Sequence, residues 1–124
     1  MNYTTSSFSK YSGISIDTLR YYEKEHLILP ARKSNGHRLY TENDMIWIQF
    51  IKQLKDTGMT IKEIREYSEL RLKGDSTQKD RLTLLIQHRR FLKEKMNTFQ
   101  NYLSKLDQEI QKYEHKRKNY INYR

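Results

Sequence analysis

Ser15-Ile16-Asp17-Thr18-Leu19-Arg20-Tyr21-Tyr22-Glu23-Lys24 reads as one short helix with two unlike sides. Ser15 suits the N-cap, because its hydroxyl can accept from an orphan amide of the first turn. Asp17 sits in that first turn, where the helix dipole favours negative charge. Successive positions lie about 100° apart on a helix, so Arg20, Tyr21 and Tyr22 fan over an arc. One tyrosine can join Ile16 and Leu19 on the inward side while the other points out beside Arg20. An outward Arg-Tyr pair with Lys24 a turn later offers the donors that phosphate oxygens and base edges accept from. Taken alone, the decapeptide is equally readable as an amphipathic surface helix with a tyrosine anchor. Its neighbours have to decide.

Upstream, residues 4–12 form a candidate helix in which Phe8 and Tyr11 are three apart and Gly13 is the terminator. Two short helices joined by a tight turn containing Gly make a helix-turn-helix. Downstream, Leu27-Ile28-Leu29-Pro30 is apolar and extended, since a residue before proline avoids the helical region. Arg32-Lys33-Ser34-Asn35-Gly36-His37-Arg38-Leu39-Tyr40 then centres Asn-Gly in a basic segment. That dipeptide predicts a β-hairpin closed by a two-residue type I′ turn, both of whose residues need positive φ. A basic hairpin directly after a helix-turn-helix is a wing, with Arg32, Lys33, His37 and Arg38 around its tip.

Thr41 with Glu42 and Asp44 starts a third helix, on which Trp47, Phe50, Ile51 and Leu54 follow helical spacing until Gly58. Trp47 reads as core. Thr60-Ile61-Lys62-Glu63 is a capping box for a fourth helix, with Ile61, Ile64 and Tyr67 facing inward. The pattern breaks at Leu72–Thr77. Beyond it the most regular signal in the chain begins. With Leu82 at heptad position a and Leu85 at d, the register continues through Arg89/Leu92, Met96/Phe99, Leu103/Leu106 and Ile110/Tyr113 without a stutter. Five heptads predict a coiled coil of about 38 residues and roughly 57 Å. So narrow an apolar seam needs a partner helix, and a homodimer is the economical answer. The heptads alone leave parallel and antiparallel both open. The predicted layout is a DNA-binding head at 1–72, a coiled-coil dimerisation helix at 76–118 and a short polar-aromatic tail at 119–124.

Composition narrows the function classes. Of 124 residues, 31% are charged and 35% hydrophobic, so a large core cannot form and a small head on an elongated element is expected. Cysteine is absent, which removes disulfides, thiolate metal sites and redox-sensing thiols. No run of 18 apolar residues and no secretory signal pattern is visible, so a cytoplasmic protein away from the membrane is expected. The net charge of +9 is unevenly placed: residues 1–70 carry 10 basic against 9 acidic groups, residues 71–124 carry 14 against 6. The opening helix therefore reads DNA through placement of particular side chains, not through bulk charge. No clustered acid, base and nucleophile and no phosphate-cradling glycine loop points to an enzyme. The spacings of His26, His37, His88 and His115 match no metal-ligand motif, and no cofactor is expected.

Ser15-x-x-Thr18-Leu19-Arg20-Tyr21-Tyr22-Glu23, then Leu27, Pro30-x-Arg32, then Gly36-x-Arg38-x-Tyr40, resembles the N-terminal signature of the MerR family of bacterial transcription regulators. Gly58-Met59-Thr60-Ile61-Lys62-Glu63-Ile64 is similar to that family's turn into its fourth helix. The resemblance covers residues 1 to about 70, and the coiled coil matches by type. It implies a mainly α fold: a winged helix-turn-helix head followed by a long dimerisation helix in an antiparallel coiled coil. It also implies a dimer that binds a pseudo-palindromic promoter operator in double-stranded DNA and distorts the spacer so that RNA polymerase engages both promoter elements. By position, Ser15, Thr18, Arg20 and Tyr21 are similar to the recognition-helix contacts, and Arg38 and Tyr40 to the wing contacts. Tyr22 stands between contact and packing, and Lys33 joins the set from the basic wing. Leu85, Leu92, Met96, Phe99, Leu103, Leu106 and Ile110 are the expected dimerisation residues.

The effector is not legible. A small molecule held by Tyr and Phe between coil and head, a protein partner on the basic C-terminal half, and no effector at all remain open. Two other classes compete with the regulator: an architectural DNA-bending protein that ignores promoters, and a coiled-coil protein whose basic rod binds an acidic partner.

Overall fold

The structure, a computed structural model, describes the backbone of residues 1–122 and the side chains of residues 1–118. Tyr123 and Arg124, the end of the expected tail, lie outside the described residues. The chain forms two units, Met1–Ile86 and the residues from Gln87 onward.

The first unit opens with α1 (Thr5–Ser12) and α2 (Ile16–Lys24). Thr4 caps α1, and its Oγ1 accepts from Ser7 N at 3.2 Å. Ser15 caps α2, with its Oγ accepting from Thr18 N at 3.1 Å. Between them Gly13 ends α1 at φ 75, left-handed backbone that a glycine adopts without strain. The end of α2 is less usual. Leu27 N donates to Tyr22 O and His26 N to Glu23 O, the two bonds of a Schellman turn. The left-handed position belongs to His26, at φ 61, where most helices place glycine.

The hairpin pairs β1 (Ala31–Arg32) with β2 (Arg38–Leu39), antiparallel, Ala31 opposite Leu39 and Arg32 opposite Arg38. Its turn is not the two-residue type I′ turn expected from Asn-Gly. Lys33 N donates to His37 O at 2.8 Å and Gly36 N to Lys33 O at 2.9 Å. Gly36 is left-handed (φ 85), whereas Asn35 keeps a negative φ. This is a three-residue loop with a glycine bulge. Asn35 contributes its side chain instead, Oδ1 accepting from His37 N at 3.1 Å. An isolated bridge between Tyr3 and Tyr40 ties the N-terminus to the base of the wing.

α3 (Glu42–Asp56) and α4 (Ile61–Lys73) both open with full capping boxes, Thr41 with Asp44 and Thr60 with Glu63. A second Schellman turn closes α3: Met59 N reaches Leu54 O at 2.9 Å and Gly58 N reaches Lys55 O at 3.1 Å. Phe8, Leu19, Leu27, Ile48, Ile51 and Ile64 are fully buried and define the core. Trp47 joins them as expected. Its Nε1 donates to Leu27 O at 2.8 Å, Tyr67 stacks on it and the Arg71 guanidinium lies over its ring at 4.3 Å. Leu27 O also accepts from Ser68 Oγ at 3.1 Å, and Arg65 Nε donates to Glu25 O at 2.9 Å. The segment leaving α2 is thus held by both α3 and α4.

After Gly74 a short 3-10 turn (Asp75–Thr77) leads into α5 (Gln78–Asn122). Buried Thr77 donates to Leu70 O at 2.6 Å and Gly74 O at 2.7 Å, fixing this junction. α5 is longer than the heptads indicated, at 45 residues, because its helical pattern extends past both ends of the apolar repeat. Its early side chains Leu84 and Leu85 pack against the core of the first unit. From Gln87 onward the second unit is this helix, and its backbone is helical into the segment read as a tail. No helix among the described residues is long and apolar enough to cross a membrane.

Candidate nucleic-acid interface

The helical register of α2 separates its duties. Leu19 is 1% and Tyr22 4% exposed, both turned into the core. Arg20 and Lys24 are exposed, and Tyr21 keeps 44% of its surface open. Sequence reasoning left Tyr22 between contact and packing. The structure corrects its candidacy as a contact: the ring is enclosed by the core, with Lys55 Nζ over it at 5.5 Å. Ser15 Oγ donates to Thr18 Oγ1 at 2.9 Å while accepting from Thr18 N, so this pair is held at the helix entrance next to the exposed face.

The wing residues behave differently from the expectation of free basic contacts. Arg38 grips Glu23 of α2 through both arms of its fork: Nε to Oε1 at 2.8 Å and Nη2 to Oε2 at 2.7 Å. The pair is only 30% and 24% exposed. The Arg38 hydrogen bonds, aided by the charges of Arg38 and Arg32, hold the Glu23 carboxyl below the usual glutamate range against the opposing effect of burial. Arg38 is therefore a brace between wing and helix before it can be a donor to anything else. Tyr40 is corrected as well. It is 2% exposed, and its ring stacks on Phe8 with centroids 4.2 Å apart. Burial raises its hydroxyl pKa, Glu23 adding to the rise while Arg38 and a bond with Thr5 oppose it. Enclosure of that ring is what anchors the wing base. Lys33 remains exposed. Arg32 Nη1 donates to Gly36 O at 2.9 Å, tying down the loop, and its Nη2 lies 3.9 Å from Glu23.

Sequence reasoning assigned no role to Glu23, although it stood within the quoted motif. Its partner is fifteen residues away across a turn and a hairpin, a distance at which no local spacing rule operates. It also missed a groove of about 310 Å³ between the start of α1 and the wing, lined by Thr4, Thr5, Ser6, Lys33, Gly36, His37 and Arg38. The hydroxyl side chains of Thr4, Thr5 and Ser6 and the exposed Lys33 line it, groups that can donate to phosphate oxygens, beside an Arg38 already bonded to Glu23. The groove and the exposed arc of α2 both belong to the first unit, joined through the Glu23–Arg38 pair.

Of the expected dimerisation residues, Leu85 and Leu92 are half-buried, whereas Met96, Phe99, Leu103, Leu106 and Ile110 are exposed along α5. Among the described residues, no three His, Cys, Asp or Glu side chains come together as metal ligands would.

Comparison with known proteins places this geometry. Residues 3–70 match the MerR HTH family regulatory protein model, and residues 46–115 match that described as MerR, DNA binding. An uncharacterised HTH-type transcriptional regulator of Haemophilus influenzae is 35% identical over 116 residues, 92% of this chain and 85% of that protein. The HTH-type transcriptional regulator AdhR of Bacillus subtilis is 41% identical over 85 residues, 68% of this chain and 61% of its own. Among solved structures, HiNmlR, described as a MerR family regulator lacking the sensor domain and bound to promoter DNA, superposes with a TM-score of 0.83. It is 34% identical, with 92% of this chain and 91% of that one covered. A MerR-family regulator from Listeria monocytogenes gives 0.86 at 34% identity over 90% of this chain and 86% of that one. The chain belongs to the MerR family of helix-turn-helix regulatory proteins.

Proposed function

We propose that the chain is a homodimeric, sequence-specific transcription regulator that works in the cytoplasm on a pseudo-palindromic promoter operator. It alters transcription by distorting spacer DNA under RNA polymerase. In this reading Ser15, Thr18, Arg20 and Tyr21 meet the duplex from α2, and Lys33 meets it from the wing. The N-terminal region forms the reading head, and the exposed seam of α5 carries dimerisation. No catalytic step is part of it.

The observation that carries the reading is the Glu23–Arg38 bridge. It joins an exposed Arg-Tyr helix face to a basic wing as one rigid element. Such an element is set in shape before it meets a ligand, so little ordering cost falls on binding. The groove with Thr4, Lys33 and His37 extends the same surface with donors for a phosphate strand. Two heads in one dimer demand half-sites related by the protein's two-fold axis. Bending the duplex between them costs on the order of 1–6 kcal/mol, which the helix and wing contacts must supply. HiNmlR's structure on promoter DNA supports the transfer of this mode to the present chain.

The test begins with selection of bound duplexes from a random-sequence pool. An inverted repeat should emerge. Arg20→Ala should then weaken binding to it in an anisotropy titration, either losing preference at one base pair of each half-site or lowering the salt slope by about one per head. Unchanged affinity, preference and slope would remove Arg20 from the interface.

A further inference from the structure

We propose that Asn35, at the tip of the wing, is a self-modifying site: its side-chain amide cyclises onto the Gly36 nitrogen and reopens as a carboxylate that lowers affinity for phosphate. The consequence for affinity rests on the DNA reading above; the chemistry at Asn35 does not.

Seven asparagines occur in the chain, and Asn35 alone is followed by glycine. The others precede Tyr, Thr or Asp, whose side chains crowd the next amide nitrogen. Asn43, Asn97 and Asn101 also lie inside α3 and α5, where the hydrogen-bonded ladder fixes the backbone. Asn35 has neither restraint. Every residue from Ala31 to His37 is exposed, and the space where a Cβ at Gly36 would stand holds no atom within 4 Å. A positive φ at Asn35 would have accounted for Asn-Gly as turn chemistry, but Asn35 does not adopt one. Its side chain reaches past Gly36, with Oδ1 accepting from His37 N at 3.1 Å. Reaching the amide one residue beyond Gly36 keeps the side-chain carbonyl alongside the Gly36 nitrogen. The bond from His37 also draws electron density from that carbonyl, which favours attack on its carbon.

One bond opposes the reaction, the donation of Gly36 N to Lys33 O at 2.9 Å. The tip must open to release it, and the paired strands below are only two residues each, so local opening costs little. Arg32 donates to Gly36 O at 2.9 Å. Its charge and that of Lys33 favour an amide nitrogen that has given up its proton.

Hydroxide takes the Gly36 N proton, and the freed electron pair attacks Asn35 Cγ to close a five-membered ring. The Cγ–N bond of the carboxamide then breaks, and the departing nitrogen takes a proton from water and leaves as ammonia. Water opens the resulting succinimide at either carbonyl. One opening leaves an aspartyl residue at position 35; the other leaves an isoaspartyl residue, with the main chain rerouted through the former side-chain carbonyl. The net change is one water consumed and one ammonia released. Both products place a carboxylate next to the groove lined by Thr4, Thr5, Ser6, Lys33 and His37. The isoaspartyl form also lengthens the main chain by a methylene inside the loop that Lys33 and His37 close. Asn35 is no part of the core, so the altered chain stays folded.

Full-length protein is warmed in mildly alkaline buffer, digested with trypsin and mapped by mass spectrometry, with Asn35→Gln in parallel. The peptide Ser34–Arg38 should gain one dalton and split into two products, faster as pH rises. Peptides carrying Asn43, Asn97 and Asn101 should keep their mass. The rate should lie within about tenfold of that in the free synthetic pentapeptide, because opening the tip costs little. A folded chain that keeps Asn35 intact, or that reacts more slowly than this, overturns the site. Fully converted protein should bind a duplex selected as above about fivefold more weakly than fresh protein, and Asn35→Asp should reproduce the loss. Fresh and incubated Asn35→Gln should bind alike. Converted protein binding as tightly as fresh, or an equal loss in incubated Asn35→Gln, overturns the consequence. Fresh wild-type protein that selects no duplex would overturn the DNA reading instead, and the mass map judges the chemistry independently of that result.

Discussion

Replacing Glu23 with Ala removes the carboxylate that holds the wing to α2, and the sign of the result separates two accounts of this residue. Two charge-assisted bonds of 2.8 and 2.7 Å are lost. Such bonds contribute about 1.5–3 kcal/mol when shielded. Here the side chains are 24% and 30% exposed, so solvent screening reduces the pair to about 1–1.5 kcal/mol. For a head of this size that corresponds to a fall in Tm of about 4–10 °C. The acid limb should change with it. Because the folded pKa of Glu23 is lowered, its stabilisation is full above the unfolded value of about 4.3 and is lost as pH falls through the folded one. The variant should therefore lose less stability than wild type in that acid window. DNA binding gives the decisive reading. Deleting an acidic group beside a phosphate-facing surface would, by charge alone, tighten binding. A loosened wing must be ordered during association, and about 1 kcal/mol of that cost weakens affinity roughly fivefold. Anisotropy titrations against the selected operator, with Arg38→Ala completing a double-mutant cycle, measure both. Tighter binding with an unchanged Tm would refute the brace.

Other perturbations probe the frame around the interface. His26→Gly should raise stability by about 0.5–1 kcal/mol, since the exposed residue sits in left-handed backbone at a helix end; a drop in Tm in a thermal melt would show that its side chain matters more. Thr60→Ala, which dismantles the capping box of α4, should cost about 0.5–2 kcal/mol in denaturant titrations, and no loss would mean that tertiary packing alone fixes that helix start. Ile48→Ala empties a fully buried position and should cost about 2–5 kcal/mol by chemical unfolding followed by circular dichroism. A loss below 1 kcal/mol would place the position outside the rigid core.

What the sequence disclosed follows from the range of the forces involved. Caps at Ser15, Thr41 and Thr60 were legible because a cap involves residues three apart. The inward stripe of Trp47, Ile51 and Leu54 was legible through a period of 3.6. The wing was legible but its turn was not, because Asn-Gly fits both a two-residue turn and a three-residue turn with a glycine bulge. Contacts between elements were out of reach. Tyr40 was a candidate DNA contact by its position in the resemblance and Tyr22 stood between contact and packing; only the packing of Phe8 and the core around them shows both to be anchors. Arg38 looked like a free cation because its partner is brought near by the whole head.

The division of α2 into an enclosed and an open arc also bears on how such a head can change its target. Asp17, Arg20 and Lys24 lie on the open arc and Tyr21 stands half open, while Leu19 and Tyr22 hold the helix to its neighbours. Residues on the open arc can be exchanged with little loss of stability. The chain can therefore drift from one operator to another through soluble, folded intermediates, altering the surface it presents without rebuilding what positions it. Selection for a new binding site would act on three or four side chains, and the same few positions offer the shortest route for anyone reprogramming the head.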